Sequence, residues 1–229
     1  MTAPNIRMIE WTMRLFVSPG EIGEVRLLDG GSRGFFFRHE EIPQAAQLAA
    51  KHCGNVKGTY ICMNPIKPET LGNRKTLQIV YDLTKNSDIA SRKWFLIDCD
   101  PKSAERGRDD SATDDEKAPS FERREQVIQF LAELGFPEPY CFDSGNGAHA
   151  IYPIDLPNDP DSASLLQSLL DLLHKRFGTE NCAVDTSVHN AARITKLYGT
   201  PARKGEDRPE RPHRLSLVQS SPDGEAAEW

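Results

Sequence analysis

No uninterrupted apolar run in the 229 residues approaches the roughly 20 that a membrane-spanning helix needs, and the opening MTAPNIRMIEWTMRLF puts acidic and basic residues where a signal peptide requires an apolar core. A cytoplasmic chain with no membrane partner is the expectation. Cysteine is sparse and scattered: Cys53, Cys62, Cys99, Cys141 and Cys182 make no CxxC pair and no Cys/His cluster at zinc spacing, so neither a disulfide scaffold nor a zinc site is expected. His-x-His, the paired-histidine signature of replication-initiator nucleases, does not occur. There is no internal repeat and no low-complexity tract. Positive charge is not in excess, because 28 Lys and Arg face 34 Asp and Glu for a net charge of -6, which argues against a general basic coat. What remains, with 38% hydrophobic residues and mean hydropathy -0.54, is an ordinary globular composition long enough for one elaborated domain or two small ones, each able to bury a core.

The charge is unevenly placed. From Asp98 to Glu125 there are 10 acidic and 6 basic residues (net -4), and from Thr186 to Leu217 there are 7 basic and 3 acidic (net +4), so an acidic centre and a basic strip could share one site. Period-two segments flanking Asp29-Gly30-Gly31-Ser32 predict a hairpin of Val25–Leu28 with Arg33–Phe37. Helical apolar spacing predicts helices over Glu40–Lys51, Ser120–Leu134 and Ser162–Phe177. Strands are expected at Thr59–Met63, Thr76–Tyr81 and Trp94–Ile97, the last ending at Asp98-Cys99-Asp100. Further strands are expected at Tyr140–Asp143, Ala148–Pro153, Ala183–Asp185 and Leu215–Val218. The end of the chain, from residue 221 to 229, reads as a solvated linker.

Three short motifs carry chemistry. Asp98 and Asp100, two apart at the end of a strand, project from one face; two converging carboxylates suit Mg2+ or Mn2+, and Asp185 after its own brief strand is the natural third. Asp-x-Asp equally serves as a plain turn cap. Ser144-Gly145-Asn146-Gly147-Ala148-His149 combines glycines with a hydroxyl, an amide and an imidazole that suit a triphosphate, or simply turns a hairpin. Arg193 and Lys196 share a face if their segment is helical, and with Arg203, Lys204, Arg211 and Arg214 they form a basic strip that reads as phosphate contacts or as a solvated face.

In order along the chain, FLIDCDP, DSGNGAHAIYP and AVDTSVHNAARITKLYGTPARKG resemble the three motifs of the archaeo-eukaryotic primase superfamily, in particular the primase-polymerase domains of plasmids, phages and mobile elements. TYICMNPI, SATDDEKA and RPHRLS resemble further segments of those domains, so the likeness runs from Val25 to Val218. The resemblance implies an α+β fold of two packed units, an N-terminal α/β unit over about 1–92 and a catalytic unit like an RNA-recognition motif over about 93–220, forming one domain with the active-site cleft between them. It implies that Asp98, Asp100 and Asp185 are catalytic and hold two divalent metals, Mg2+ or Mn2+, and that Ser144, Asn146, Gly147, His149, Arg193 and Lys196 bind a nucleotide. Arg203, Lys204, Arg211 and Arg214 are then placed on DNA. One departure is that the short family form has a serine two before the histidine, where this chain has Gly147.

The activity implied is nucleotidyl transfer, as a DNA primase and DNA polymerase, making or extending primers on a single-stranded DNA template from NTP or dNTP during DNA replication. The linker-like end reads as that of a fragment of a longer replication protein with a helical primase domain or a helicase downstream, the alternative being a free-standing enzyme. Exposed aromatics for stacking on template bases are sought among Tyr60, Tyr198 and Phe35–Phe37. The alternatives are a two-metal nuclease or initiator endonuclease, disfavoured by the missing His-x-His, and a non-catalytic single-strand-binding module, disfavoured by the intact acids.

Overall fold

A computed structural model describes residues 2–107 and 109–224, so the last five residues of the linker-like end lie outside the described residues. In chain order its regular elements begin with α1 (Ile6–Phe16), β1 (Ile22–Leu28), β2 (Ser32–Arg38), α2 (Ile42–Cys53), β3 (Gly58–Cys62), β4 (Ser91–Pro101) and α3 (Asp114–Glu133). They continue with β5 (Tyr140–Asp143), β6 (Ala148–Pro157), α4 (Pro160–Phe177), β7 (Cys182–Val184), β8 (Ile194–Lys196), β9 (Pro201–Ala202), β10 (Arg214–Leu215) and β11 (Leu217–Ser220). The fold is α+β, with two packed units. An antiparallel sheet in the order β2-β1-β3-β8 forms one; the other is a five-stranded antiparallel sheet in the order β11-β5-β6-β4-β7. Taken as β4-α3-β5-β6-α4-β7, the second unit is the split βαββαβ arrangement of RNA-recognition motifs, with β4 and β6 at its centre.

No element is expected from the sequence before residue 25, yet α1 fills it. Asn5 caps this helix by accepting from the Met8 N–H at 3.1 Å, and Met8, Ile9, Met13 and Phe16 recur on one face and are buried. Each such side chain contributes about 1.5–3 kcal/mol by leaving water. The helix is also tied to the far end of the chain, since Asn5 N–H donates to the Gly199 carbonyl at 2.8 Å. Gly199 has φ +92, and a Cβ there would stand 2.7 Å from the Asn5 carbonyl oxygen, so both conformation and space require glycine.

Several expectations shift in the structure. Thr76–Tyr81 is not a strand: Leu77 has φ +58, which breaks an extended run, and the segment meets β2 through an isolated bridge of Val80 with Gly34 and a bond from the Leu77 N–H to the Phe36 carbonyl. Helix α3 starts six residues before Ser120 in spite of Pro119, because Thr113 and Glu116 form a reciprocal capping box upstream. The stretch carrying Arg193 and Lys196 is not helical; its Ile194–Lys196 part is β8, which pairs with β3. Leu215–Val218 is two strands rather than one. β10 pairs with β9 and β11 pairs with β5, and Ser216 between them is bonded to the Thr200 carbonyl.

Candidate active site

The register of the second sheet assembles the acidic end of the site. On β4, Asp98 lies opposite His149 of β6, and Asp100 lies opposite Ala183 of β7, so Asp185, just past the end of β7, comes back beside Asp98. The Asp185 N–H donates to the Asp98 carbonyl at 2.8 Å, which fixes that return. Carboxylate oxygens of Asp98, Asp100 and Asp185 then lie within 4.8 Å of one another. Asp98 Oδ1 is buried and, among the described residues, has only His149 Nε2 near it, at 3.3 Å, and Asp185 uses Oδ1 to cap the turn after it, accepting from the Ser187 N–H at 2.8 Å. The Asp98 carboxylate, with burial second, pushes Asp100 up to about 6. Burial acts to raise Asp98 as well, but His149, Lys204 and Arg193 outweigh it and hold that carboxyl below its ordinary range. A buried carboxylate oxygen with a single N–H near it, beside a carboxyl that its neighbour raises, fits a cluster that could hold a cation. The oxygen-only donor set suits Mg2+ or Mn2+ rather than a soft metal.

Across a cavity of about 260 Å3 from these acids stand cations contributed by the first sheet and the strip after it: Arg193, Lys196 and Lys204. Leu28, Tyr60 and Ile194 supply an apolar flank, and His149 completes the wall. The cleft therefore lies between the two units. His149 Nε2 approaches Asp98 Oδ1 at 3.3 Å, and its Nδ1 is 2.7 Å from the Tyr198 hydroxyl. Lys196 is buried, its ammonium has no hydrogen-bond partner among the described residues, and it lies 4.4 Å from the centroid of the Tyr60 ring.

The Ser144–Gly147 loop lines the same cavity but uses its polar groups on itself. Ser144 Oγ accepts from the Gly147 N–H at 2.9 Å and the Asn146 N–H at 3.3 Å, while the Gly145 N–H donates to Asp143 at 2.7 Å. Asn146 Oδ1 accepts from the Ala112 N–H at 2.8 Å, stapling the loop to the segment before α3. These backbone amides are engaged within the fold, and the lining groups whose charge or N–H suits an anion are Arg193, Lys196, Lys204 and His149. A Cβ at residue 147 would stand 2.6 Å from the Cys99 carbonyl oxygen. Glycine, not the serine of the short family form, is what this close approach to β4 admits.

The basic strip divides. Lys204 joins the acidic cavity, whereas Arg203 lines a separate cavity of about 270 Å3 with Lys57 and His213. Arg211 and Arg214 are committed inside the fold: Arg211 forms a two-pronged pair with Glu116 at 2.7 and 2.9 Å and reaches the Ser111 carbonyl, and Arg214 holds Asp114 and the Ala112 carbonyl. Both clamp the start of α3. Of the aromatics sought for stacking, Phe35–Phe37 and Tyr198 are buried and Tyr60 borders the cavity. Sequence reasoning missed Thr195 and Leu28 as lining residues; neither carries a chemical signature, and only β8 joining β3 brings them there.

The Arg211 clamp carries a pH signature. Its guanidinium holds Glu116 down at about 2 against an ordinary 4.5. A depressed carboxyl stabilises the fold above its unfolded value and loses that contribution as pH falls through the folded one. Arg211→Gln is expected to cost about 1 kcal/mol at pH 7 after solvent screening. Urea titrations should find this difference shrinking from about pH 4.5 to about pH 2. A difference independent of pH would detach Glu116 from the clamp.

Comparison of the sequence with protein families and with curated proteins gives no match. Among solved structures, the chain is similar to the catalytic domain of primase RepB′ in complex with initiator DNA, at TM-score 0.51 and 12% identity over 94% of this chain and 84% of that one. It is also similar to primase RepB′, at TM-score 0.51 and 11% identity over 94% of this chain and 56% of that one. The fold is that of the primase RepB′ catalytic domain. A lower similarity, TM-score 0.46 with 12% identity, is found to the polymerase domain of Mycobacterium tuberculosis ligase D in complex with DNA, covering 92% of this chain and 79% of that one. In this fold Asp98 and Asp100 lie on a central strand of the RNA-recognition-motif-like unit, Asp185 just past its edge strand β7, and the cations come mainly from the other unit. Among the described residues no helix is long and apolar enough to cross a membrane.

Proposed function

We propose that the chain is a DNA primase-polymerase that adds nucleotides to a primer or an initiating nucleotide on single-stranded DNA. The observation that carries the reading is the opposition, across one cavity between two sheets, of three converging carboxylates and a set of cations with His149. Asp98, Asp100 and Asp185 would hold two divalent cations, Mg2+ or Mn2+. When bound, these supply the charge that lowers the pKa of the attacking 3′-hydroxyl and offsets charge on the triphosphate. The side chains of this chain do the rest. Arg193, Lys196 and Lys204 draw in and orient the triphosphate, His149 donates to it, and Leu28, Tyr60 and Ile194 exclude water beside the nucleoside. Ser144, Asn146 and Gly147 hold the wall against which it lies.

Arg203, in its own cavity with Lys57, is the residue of the strip best placed to meet template phosphates. Single-stranded contacts give a slope of log affinity against log salt of about -0.7 per phosphate neutralised. Arg203→Ala should flatten the slope for an oligonucleotide by about that amount, whereas Lys204→Ala should act on triphosphate affinity. An unchanged slope returns Arg203 to the solvated surface. The activity itself is tested with the purified chain, single-stranded DNA, Mg2+ or Mn2+ and labelled nucleotides, with and without a primer. Products extended from a primer or begun from a nucleotide support the proposal. Degradation of the DNA without incorporation would replace it by a nuclease, and binding alone by a docking module.

A further inference from the structure

Behind His149 stands a residue that this reading leaves without a role. Tyr198 is fully buried, with its ring stacked on Phe142 at 3.9 Å between centroids and 7° between planes. Its hydroxyl lies 2.7 Å from His149 Nδ1, and Thr195 Oγ1 lies 2.9 Å from that hydroxyl and 3.3 Å from the same nitrogen. The opposite ring nitrogen, Nε2, faces the cavity and Asp98 Oδ1 at 3.3 Å. The backbone that carries Tyr198 is fixed in turn by α1, through the bond from Asn5 to Gly199.

The two hydroxyls and the imidazole of this cluster allow two proton arrangements for a neutral ring. With the hydrogen on Nδ1, the bare lone pair of Nε2 would point at the Asp98 carboxylate and at any anion in the cavity, and both contacts would be repulsive. With the hydrogen on Nε2, Thr195 donates to Tyr198, Tyr198 donates to Nδ1, and the Nε2–H points at acceptors. The contacts at 2.7 and 2.9 Å and the approach of Nε2 to Asp98 are then each donor to acceptor, while Thr195 Oγ1, whose one hydrogen goes to Tyr198, only lies beside Nδ1 at 3.3 Å. Burial drives the Tyr198 phenol well above its ordinary range, so its hydrogen is retained for donation.

We propose that Tyr198, backed by Thr195, is a positioning residue that fixes His149 as the Nε2–H tautomer and so aims a single N–H donor into the cavity at an anionic group. On the reading given above, that group is a phosphate of the nucleoside triphosphate. The hydrogen bond a histidine makes at one nitrogen decides what the other nitrogen can do, and here the two hydroxyls beside Nδ1 make that choice.

The test uses the full chain labelled with 15N-histidine at a pH where the rings are neutral. Long-range 1H–15N correlations should show His149 protonated at Nε2 and accepting at Nδ1. Tyr198→Phe keeps the stack on Phe142 and is expected to abolish that tautomer preference. It should also weaken a Mg2+-loaded nucleoside triphosphate by about fivefold or more while leaving single-stranded DNA affinity unchanged. Thr195→Val, which preserves the strand, should shift the tautomer in the same direction. A wild-type ring protonated at Nδ1, or a tautomer indifferent to both variants, overturns the proposal. If instead His149→Ala binds the triphosphate as wild type does, the nucleotide assignment of His149 fails while the tautomer result stands apart from it.

Discussion

Asp100→Asn is expected to lower nucleotide incorporation at least about 100-fold and, in the same protein, to raise the melting temperature of the metal-free chain. The loss follows because an amide cannot supply the negative charge that anchors a divalent cation, and removing one preorganised electrostatic group from a reacting centre costs that order of rate. The gain follows from the Asp98 carboxylate and burial, which together push Asp100 up to about 6 from 3.8. A carboxyl whose folded pKa lies above its unfolded value costs stability above the folded value, and the cost is relieved as pH falls from about 6 toward 3.8. The variant lacks that cost throughout. Its advantage in melting temperature, about 2–4 °C per kcal/mol for a chain of this size, should therefore be present at pH 7.5 and fade by pH 4. Adding Mg2+ or Mn2+ should reverse the order, since binding to the folded state stabilises the wild type and much less the variant. Asp98→Asn should match the loss of activity. Incorporation within threefold of wild type in either variant would remove the acids from the chemistry, and a melting temperature that falls in both would show them to be structural.

That opposition of stability and activity explains why the acidic end of the site was legible in the sequence. Two aspartates on one face of a strand disobey the rule that a strand end buries apolar residues, and a broken rule in a short motif is visible without coordinates. The hairpins and α4 were legible for the opposite reason, because their patterns obey period two or the helical period. What stayed hidden depends on partners distant in sequence. Helix α1 presents a regular apolar face, but its first residues read only as an unsuitable signal peptide. Thr76–Tyr81 has strand composition and is undone by the backbone at Leu77. The strip after Asp185 looked like a single basic surface. Only the pairing of β8 with β3 and the ion pairs at the start of α3 separate Lys196 and Lys204, which face the acids, from Arg211 and Arg214, which clamp a helix. Tyr198 lies in the same recognisable stretch as Arg193, yet its partner His149 is 49 residues away in the chain.

Lys196→Met should produce the second large effect, again with stability and binding moving apart. Lys196 is 5% exposed, and among the described residues its ammonium has no hydrogen-bond partner and meets the face of the Tyr60 ring at 4.4 Å. A Cβ on residue 58 would stand 2.8 Å from that nitrogen, so Gly58 on the neighbouring strand leaves the space it occupies. A buried charge without hydrogen bonds destabilises a fold unless something compensates it, and cation–π contact restores only about 0.5–2 kcal/mol. A phosphate oxygen in the cavity would supply the missing partner. Charge-assisted hydrogen bonds of this kind contribute about 1.5–3 kcal/mol, or roughly 10- to 100-fold in affinity. Methionine matches the length and apolar character of the lysine stem, so the variant should melt at or above the wild-type temperature while binding a nucleoside triphosphate about 10- to 100-fold more weakly. Affinity for a single-stranded oligonucleotide should stay near wild type, because Arg203 lies in the other cavity. Calorimetric titration of the triphosphate and of the oligonucleotide against the same preparation separates the outcomes. If the oligonucleotide affinity falls and the triphosphate affinity holds, the cavity between the sheets receives the template strand and not the incoming nucleotide.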